Sequence, residues 1–153
     1  MYEIGVFLEE KDVIRVNDDN SLDMGYIDNK IFAGGGIDFV SGGKGEDLIY
    51  GGAGDDHIDG DDTAVGTTDG TSDTLDYSSI AISADTGDTR DVDGSGTDTT
   101  TTDLYTGIEI DLTDSTAQRI HAEYGTDTIT NIENVVGSEL NDYIKGNDSA
   151  NTL

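Results

Sequence analysis

The chain has 153 residues, of which 34 are acidic and 7 are basic, so its formal net charge is −27. A surface of this sign repels nucleic acids and anionic membranes, which excludes both as partners, and no run of eighteen apolar residues predicts membrane insertion. There is no cysteine, so any metal must be held by oxygen or histidine ligands. With 33% hydrophobic residues, the length allows a single domain with a thin core.

The N-terminal segment, residues 1–23, is predicted to be a cap or linker. Its first residues, Met1-Tyr2-Glu3-Ile4-Gly5, lack the positively charged region and apolar run of a secretory signal peptide. Tyr2, Ile4, Val6 and Leu8 alternate with other residues, which is typical of a β-strand. Such a strand would cap a repeat array or end a preceding domain. We expect the chain to be a fragment of a larger protein, because its last residues, 147–153, stop within a repeat.

Internal repeats dominate residues 24–77. Three consecutive nonapeptides, 33–41, 42–50 and 51–59, fit the pattern GGxGxDxUx, in which U is a large aliphatic residue. Weaker copies precede them at 15–23 and 24–32. Three matches with glycine, aspartate and aliphatic residue in phase are improbable in a flexible glycine-rich linker or a solvated acidic face. The repeat period therefore predicts an all-β parallel β-roll.

Each repeat divides into a six-residue turn and a three-residue strand. Glycines permit positive φ and close backbone approach in the turn, and the eighth residue points inward from the strand, while the seventh and ninth face out. This predicts an aliphatic ladder of Ile31, Val40, Ile49 and Ile58. If two repeats complete one coil, loop 33–38 lies against loop 51–56, and loop 24–29 lies against loop 42–47.

The stacked loops offer ligands for several calcium ions. The carboxylate at position six and neighbouring carbonyl groups can supply the six to eight oxygen ligands that Ca²⁺ takes. We expect Asp38 and Asp56 to share one ion and Asp47 to pair with Asn29. The candidate metal-binding residues are Asn29, Gly34, Gly36, Asp38, Gly43, Gly45, Asp47, Gly52, Gly54, Asp56, Asp73, Asp127 and Asp142.

The repeat phase is interrupted at 60–67 and resumes with Asp73 at position six and Leu75 at position eight. Residues 83–106 form a polar insert rich in Thr and Asp, which we expect to be ordered only if it gains ions.

A second portion of the roll is predicted at residues 107–153. Ile108, Ile110 and Leu112 alternate with Glu109 and Asp111, so the apolar set is expected to face the core and the acidic pair to face water. Further along, Asp127 and Asp142 again hold position six of degenerate repeats, and 151–153 is in phase with the second of these.

These motifs resemble a known family. Asp73-Thr74-Leu75-Asp76-Tyr77-Ser78, Gly107 to Leu112 and Gly125 to Ser138, together with the repeats, are similar to the C-terminal RTX (hemolysin-type) calcium-binding domain of serralysin-type proteases and related type I secreted proteins and adhesins. The resemblance implies a right-handed parallel β-roll with calcium in the turns, export by type I secretion to the bacterial exterior or cell surface, and folding on extracellular calcium. It places calcium-binding loops at 33–38, 42–47, 51–56, 68–73, 122–127 and 137–142.

An enzymatic function is not expected. The two histidines, His57 and His121, do not form the HExxH pattern of a zinc protease and are both expected at the surface. No GxSxG elbow occurs.

Two functions remain open. The chain is either a module that supports the secretion and folding of a larger protein, or a structural or adhesive segment of a calcium-stiffened surface protein. Expected partners are calcium ions and other domains of the parent protein, and the second function adds a polysaccharide or cell-surface ligand.

Overall fold

A computed structural model describes residues 2–8, 13–15, 28–61, 72–78, 107–121 and 124–153. This described part is all-β and contains no helix. It accordingly offers no helix that is long and apolar enough to span a membrane. The polar insert at 83–106 and the start of loop 24–29 lie outside the described residues.

The strands are short, as expected when turns occupy most of each repeat. In chain order they are β1 (Tyr2–Leu8), β2 (Val13–Arg15), β3 (Asn29–Gly35), β4 (Phe39–Ser41), β5 (Leu48–Ala53), β6 (His57–Asp59), β7 (Thr74–Asp76), β8 (Glu109–Asp111), β9 (Ala117–His121), β10 (Gly125–Thr130), β11 (Asn134–Val136) and β12 (Tyr143–Lys145).

Consecutive strands of the repeat region alternate between two sheets. The first sheet has the order β1-β3-β5-β7-β11, and the second has the order β2-β4-β6-β10-β9. A third, two-stranded sheet pairs β12 with β8. All strand pairs in the first sheet are parallel, so the chain returns to the same sheet after visiting the other one.

The register shows that one coil takes two nonapeptides. In the first sheet Ile31 pairs with Ile49, and in the second Val40 pairs with Ile58. Both pairs join residues two repeats apart in the sequence. Position eight of one repeat therefore stacks on position eight of the repeat after next, as the sequence predicted.

One hydrophobic cluster receives side chains from all three sheets. The ladder residues Ile31, Val40, Ile49 and Ile58 are at most 3% exposed, so the predicted inward face is confirmed. The same cluster continues through Leu75, Tyr77, Ile108, Ile110, Ile120, Tyr124, Ile129, Ile132 and Val135, with Ala33 completing the buried set.

The second half of the chain departs from the predicted regular pattern. β9 pairs with β10 in the antiparallel direction, so the second sheet is mixed. His121 and Glu109, both expected to face water, are buried, and these two predictions are wrong. His57 is exposed as expected and stacks on Phe39 with ring centroids 4.6 Å apart.

The N-terminal segment supplies an edge to each of the larger sheets. β1 pairs in parallel with β3, and β2 pairs in parallel with β4. The predicted alternating strand at 2–8 therefore exists and covers one end of the first sheet.

Candidate metal-binding loops

Loops 33–38 and 51–56 lie directly against each other. The amide N of Gly36 donates to the carbonyl O of Ala53 over 2.8 Å, and the amide N of His57 donates to the carbonyl O of Asp38 over 2.8 Å. Between these contacts, the amide N of Asp38 donates to Oδ1 of Asp56 over 2.9 Å. The stacking predicted for these two loops is confirmed.

Two glycines explain how the loops come so close. Gly52 and Gly54 have φ of +101° and +137°, in the region that side chains disfavour. A methyl group on either would overlap the carbonyl group of Gly34 or Gly36. These carbonyl oxygens therefore lie between the loops, where the sequence placed ligand oxygens. The corresponding glycines of loop 42–47, Gly43 and Gly45, have φ of +103° and +122°.

Position-six residues form two hydrogen-bonded columns, one on each side of the core. In the first column Asn29 N donates to Asp47 Oδ1 over 2.8 Å, and Asp47 N donates to Asp73 Oδ1 over 2.9 Å. Asp73 N then donates to Glu133 Oε2 over 3.1 Å. The predicted pairing of Asn29 with Asp47 is thus observed as a backbone contact, and the column extends two residues further.

The second column contains Asp38, Asp56 and Asp127. The amide N of Asp56 donates to Asp127 Oδ1 over 3.0 Å, which repeats the bond from Asp38 N to Asp56 Oδ1. Asp38, Asp56 and Asp127 are all at most 1% exposed. The carboxylates of Asp56 and Asp127 are thus each held against the backbone of the preceding residue in the column.

The columns bury like charges together. Burial raises the pKa of Asp56 to about 7, and the neighbouring carboxylates of Asp38 and Asp55 add to the effect. Burial likewise raises the pKa of Asp73 to about 8, with contributions from Asp47 and Glu133. Carboxylates that resist ionisation in this way become stable anions once a cation lies beside them.

The donor set around Asp56 fits a calcium ion. Asp56 Oδ2 is buried over its own loop, and within the described residues it has no hydrogen-bond partner. A buried carboxylate oxygen without a hydrogen-bond partner lowers the stability of the folded state. A cation bound to this oxygen would offset that loss. No group of three or more His, Asp or Glu side chains suited to a metal is found in the described ranges. The carbonyl oxygens between the two loops, those of Gly34 and Gly36, are ligands of a kind that Ca²⁺ accepts readily.

The Asp73 carboxylate has a glycine beside it, as the Asp47 carboxylate does. A methyl group on Gly42 would lie 2.5 Å from Asp47 Oδ2, and one on Gly60 would lie 2.6 Å from Asp73 Oδ2. Gly60 therefore lies beside the Asp73 carboxylate as Gly42 lies beside that of Asp47. The predicted loop start at residue 68 lies outside the described residues.

Asp127 and Asp142 differ from Asp56 in that protein groups engage both of their oxygens. Asp127 Oδ2 accepts a hydrogen bond from the Tyr77 hydroxyl over 2.7 Å. Asp142 Oδ1 accepts from Ile108 N over 2.8 Å, and its Oδ2 accepts from Ser138 N over 2.9 Å. The structure thus places these two predicted ligands in loops that are already closed by hydrogen bonds.

Glu133, Tyr77 and Ser138 are site residues that the repeat pattern missed. Glu133 is the last of the three residues between β10 and β11, so it has no position-six spacing. Tyr77 lies 50 residues from Asp127. The one available signal was Ser138, which stands where the repeat pattern has its second glycine.

Comparison with known proteins agrees with this geometry. The family model of the RTX calcium-binding nonapeptide repeat matches residues 32–64 with four copies, about a fifth of the chain. None of the curated proteins compared with the chain matches it. RTX repeats bind Ca²⁺ and are typically non-catalytic parts of secreted proteins. Residues 32–64 are therefore RTX calcium-binding nonapeptide repeats.

Proposed function

We propose that this chain is a parallel β-roll module that folds when Ca²⁺ enters its stacked loops. The observation that carries the proposal is the pair of hydrogen-bonded columns, Asn29-Asp47-Asp73-Glu133 and Asp38-Asp56-Asp127, in which all five aspartates are buried. In these columns the carboxylates of Asp47, Asp56, Asp73 and Asp127 share one arrangement, in which each accepts a backbone N–H from the preceding residue of its column.

Calcium would be held between loops 33–38 and 51–56 and between the loops that carry Asp47 and Asp73. Asp38, Asp56 and the carbonyl groups of Gly34 and Gly36 supply oxygens to the first position. When bound, the ion supplies positive charge that neutralises the column. The chain's own contribution is to hold the oxygens in register through the parallel ladders on either side.

The energetics favour coupling between binding and folding. A chain with a net charge of −27 repels itself, and its core is a narrow ladder of aliphatic residues. Extracellular calcium modules bind with dissociation constants of about 10⁻⁴–10⁻³ M, and each site adds about 1.4 kcal/mol at tenfold excess of the ion. Several such sites amount to much of the stability of a typical domain.

Such a module suits a protein that leaves the cell. At low calcium the chain would stay unfolded during export, and it would fold outside the cell and support the folding of the parent protein. Type I secretion and the contacts with other parent domains are parts of this proposal. The structural or adhesive role predicted as the alternative needs a partner surface and stays a prediction.

The test compares the chain in excess chelator with the chain in millimolar calcium. We expect calcium to produce β-structure by circular dichroism and a smaller hydrodynamic radius by size-exclusion chromatography. The same circular dichroism spectrum and melting temperature in both conditions would refute calcium-coupled folding.

A further inference from the structure

Position-six carboxylates fall into two classes according to what engages their second oxygen. Asp56 Oδ2 has no hydrogen-bond partner among the described residues, whereas Asp127 Oδ2 accepts a bond from the Tyr77 hydroxyl. Both carboxylates are buried, and the Oδ1 of each accepts a backbone N–H: Asp56 Oδ1 from Asp38 N, and Asp127 Oδ1 from Asp56 N. The difference between them is therefore confined to the group that faces Oδ2.

Tyr77 is built into this position. It is fully buried and belongs to the hydrophobic cluster. Its ring meets that of Tyr124 edge to face with centroids 4.8 Å apart, and the Tyr124 hydroxyl donates to the carbonyl O of Tyr77. The Tyr77 hydroxyl is thus fixed on Asp127 by packing on the ring and by a hydrogen bond to its backbone.

A second loop shows the same replacement independently. At Asp142 the Ser138 amide donates to Oδ2 over 2.9 Å, and the Ser138 hydroxyl donates to Oδ1 over 2.6 Å. Ser138 and Leu140 occupy the loop positions at which loop 42–47 has its positive-φ glycines. Loop 137–142 thus has a bonded carboxylate and lacks the glycine pair of the calcium loops.

We propose that Tyr77 and Ser138 take the place of calcium at Asp127 and Asp142, so that these two positions are metal-free closures of the array. This rests on the proposed calcium-binding function, because it defines where binding stops. A buried carboxylate that accepts protein donors on both oxygens no longer needs a cation to offset the loss of water. The Tyr77 closure links the repeats to β10, and the Ser138 closure lies within residues 107–153. Fewer ions therefore bind than there are position-six acidic residues.

Calcium stoichiometry distinguishes the two classes. The wild type, Asp56→Asn, Asp127→Asn and Asp142→Asn are compared by isothermal titration calorimetry with calcium alone, and Asp148→Asn serves as an exposed control. We expect Asp56→Asn to lose one ion and the Asp127, Asp142 and Asp148 variants to keep the wild-type number. Loss of an ion from Asp127→Asn or Asp142→Asn overturns the inference. Retention of the full number by Asp56→Asn would instead count against the calcium site proposed above.

A second measurement uses the wild type alone. The wild type is isotopically labelled at tyrosine and saturated with calcium. We expect the buried Tyr77 hydroxyl proton to give a slowly exchanging NMR signal, because the hydroxyl donates a hydrogen bond to Asp127. Absence of such a signal from Tyr77 at saturating calcium would show that the ion has displaced the hydroxyl and would overturn the inference.

Discussion

Truncation of Ile49 to Ala tests whether the aliphatic ladder supports the calcium loops. Ile49 is fully buried and stands between Ile31 and Leu75, its partners in the parallel ladders on either side. Both neighbours are also fully buried, so the backbone ladders limit collapse around the missing side chain. A cavity of this kind costs about 2–5 kcal/mol, which is a large share of the ~5–15 kcal/mol that stabilises a typical domain.

Ile37→Ala is the matched control, because it makes the same chemical change in loop 33–38 at a side chain that is 47% exposed. We expect it to change stability by about 0.5 kcal/mol or less. Both variants are unfolded with urea in saturating calcium, and the midpoints and slopes are compared with the wild type. Equal losses for Ile49→Ala and Ile37→Ala would refute the conclusion that the inward ladder carries the stability.

Further predictions concern pH and the loop backbone. In calcium-depleted protein the folded-state pKa values of Asp56 and Asp73 are raised to about 7 and 8, so the folded state favours their protonated forms. The resulting stabilisation is fully present below about pH 4, near the ordinary pKa, and is lost as pH rises through 7–8. We therefore expect more β-structure by circular dichroism at pH 5 than at pH 8 without calcium, and a pH-independent signal would contradict this. Calcium binding should become stronger as the pH rises from 5 to 8, and it should release protons. The number of protons released is measured by calorimetry in buffers of different ionisation enthalpy. Gly54→Ala should weaken calcium binding and lower the melting temperature, because Gly54 has a positive φ and the added methyl group would overlap the carbonyl group of Gly36. Ser149→Ala, at an exposed residue, is its control. Equal calcium affinities of the two variants would contradict the close approach of the loops.

The fold of the repeat region could be predicted because each nonapeptide contains the residues that determine its own turn and strand. In each nonapeptide the spacing of glycine, aspartate and aliphatic residue specifies turn and strand together. A fixed period then determines which residues meet, so the contacts of Ile31 with Ile49 and of Asp38 with Asp56 followed from counting.

The second half could not be predicted in the same way, because its contacts join residues at irregular separations. The alternation of residues 108–112 predicted that Glu109 faces water. In the structure β8 lies beside β9 and pairs with β12, and Glu109 is buried. Gly60 lies beside the Asp73 carboxylate although 13 positions separate the two residues, a separation that the nine-residue period does not give. The bond from Tyr77 to Asp127 depends on how β7 and β10 lie across the core, which no period in the sequence encodes.

The most direct test of calcium-coupled folding compares calcium, magnesium and sodium chloride at matched ionic strength, with β-structure and compaction followed by circular dichroism and small-angle X-ray scattering. Carbonyl groups of stacked loops can provide the larger ligand shell of Ca²⁺, whereas Mg²⁺ requires near-ideal octahedral geometry at about 2.0–2.1 Å and retains its waters. We expect calcium alone to produce the folded, compact state. Equal folding by magnesium or salt would contradict the account, because screening of the −27 charge would then suffice without defined sites at Asp38, Asp47 and Asp56.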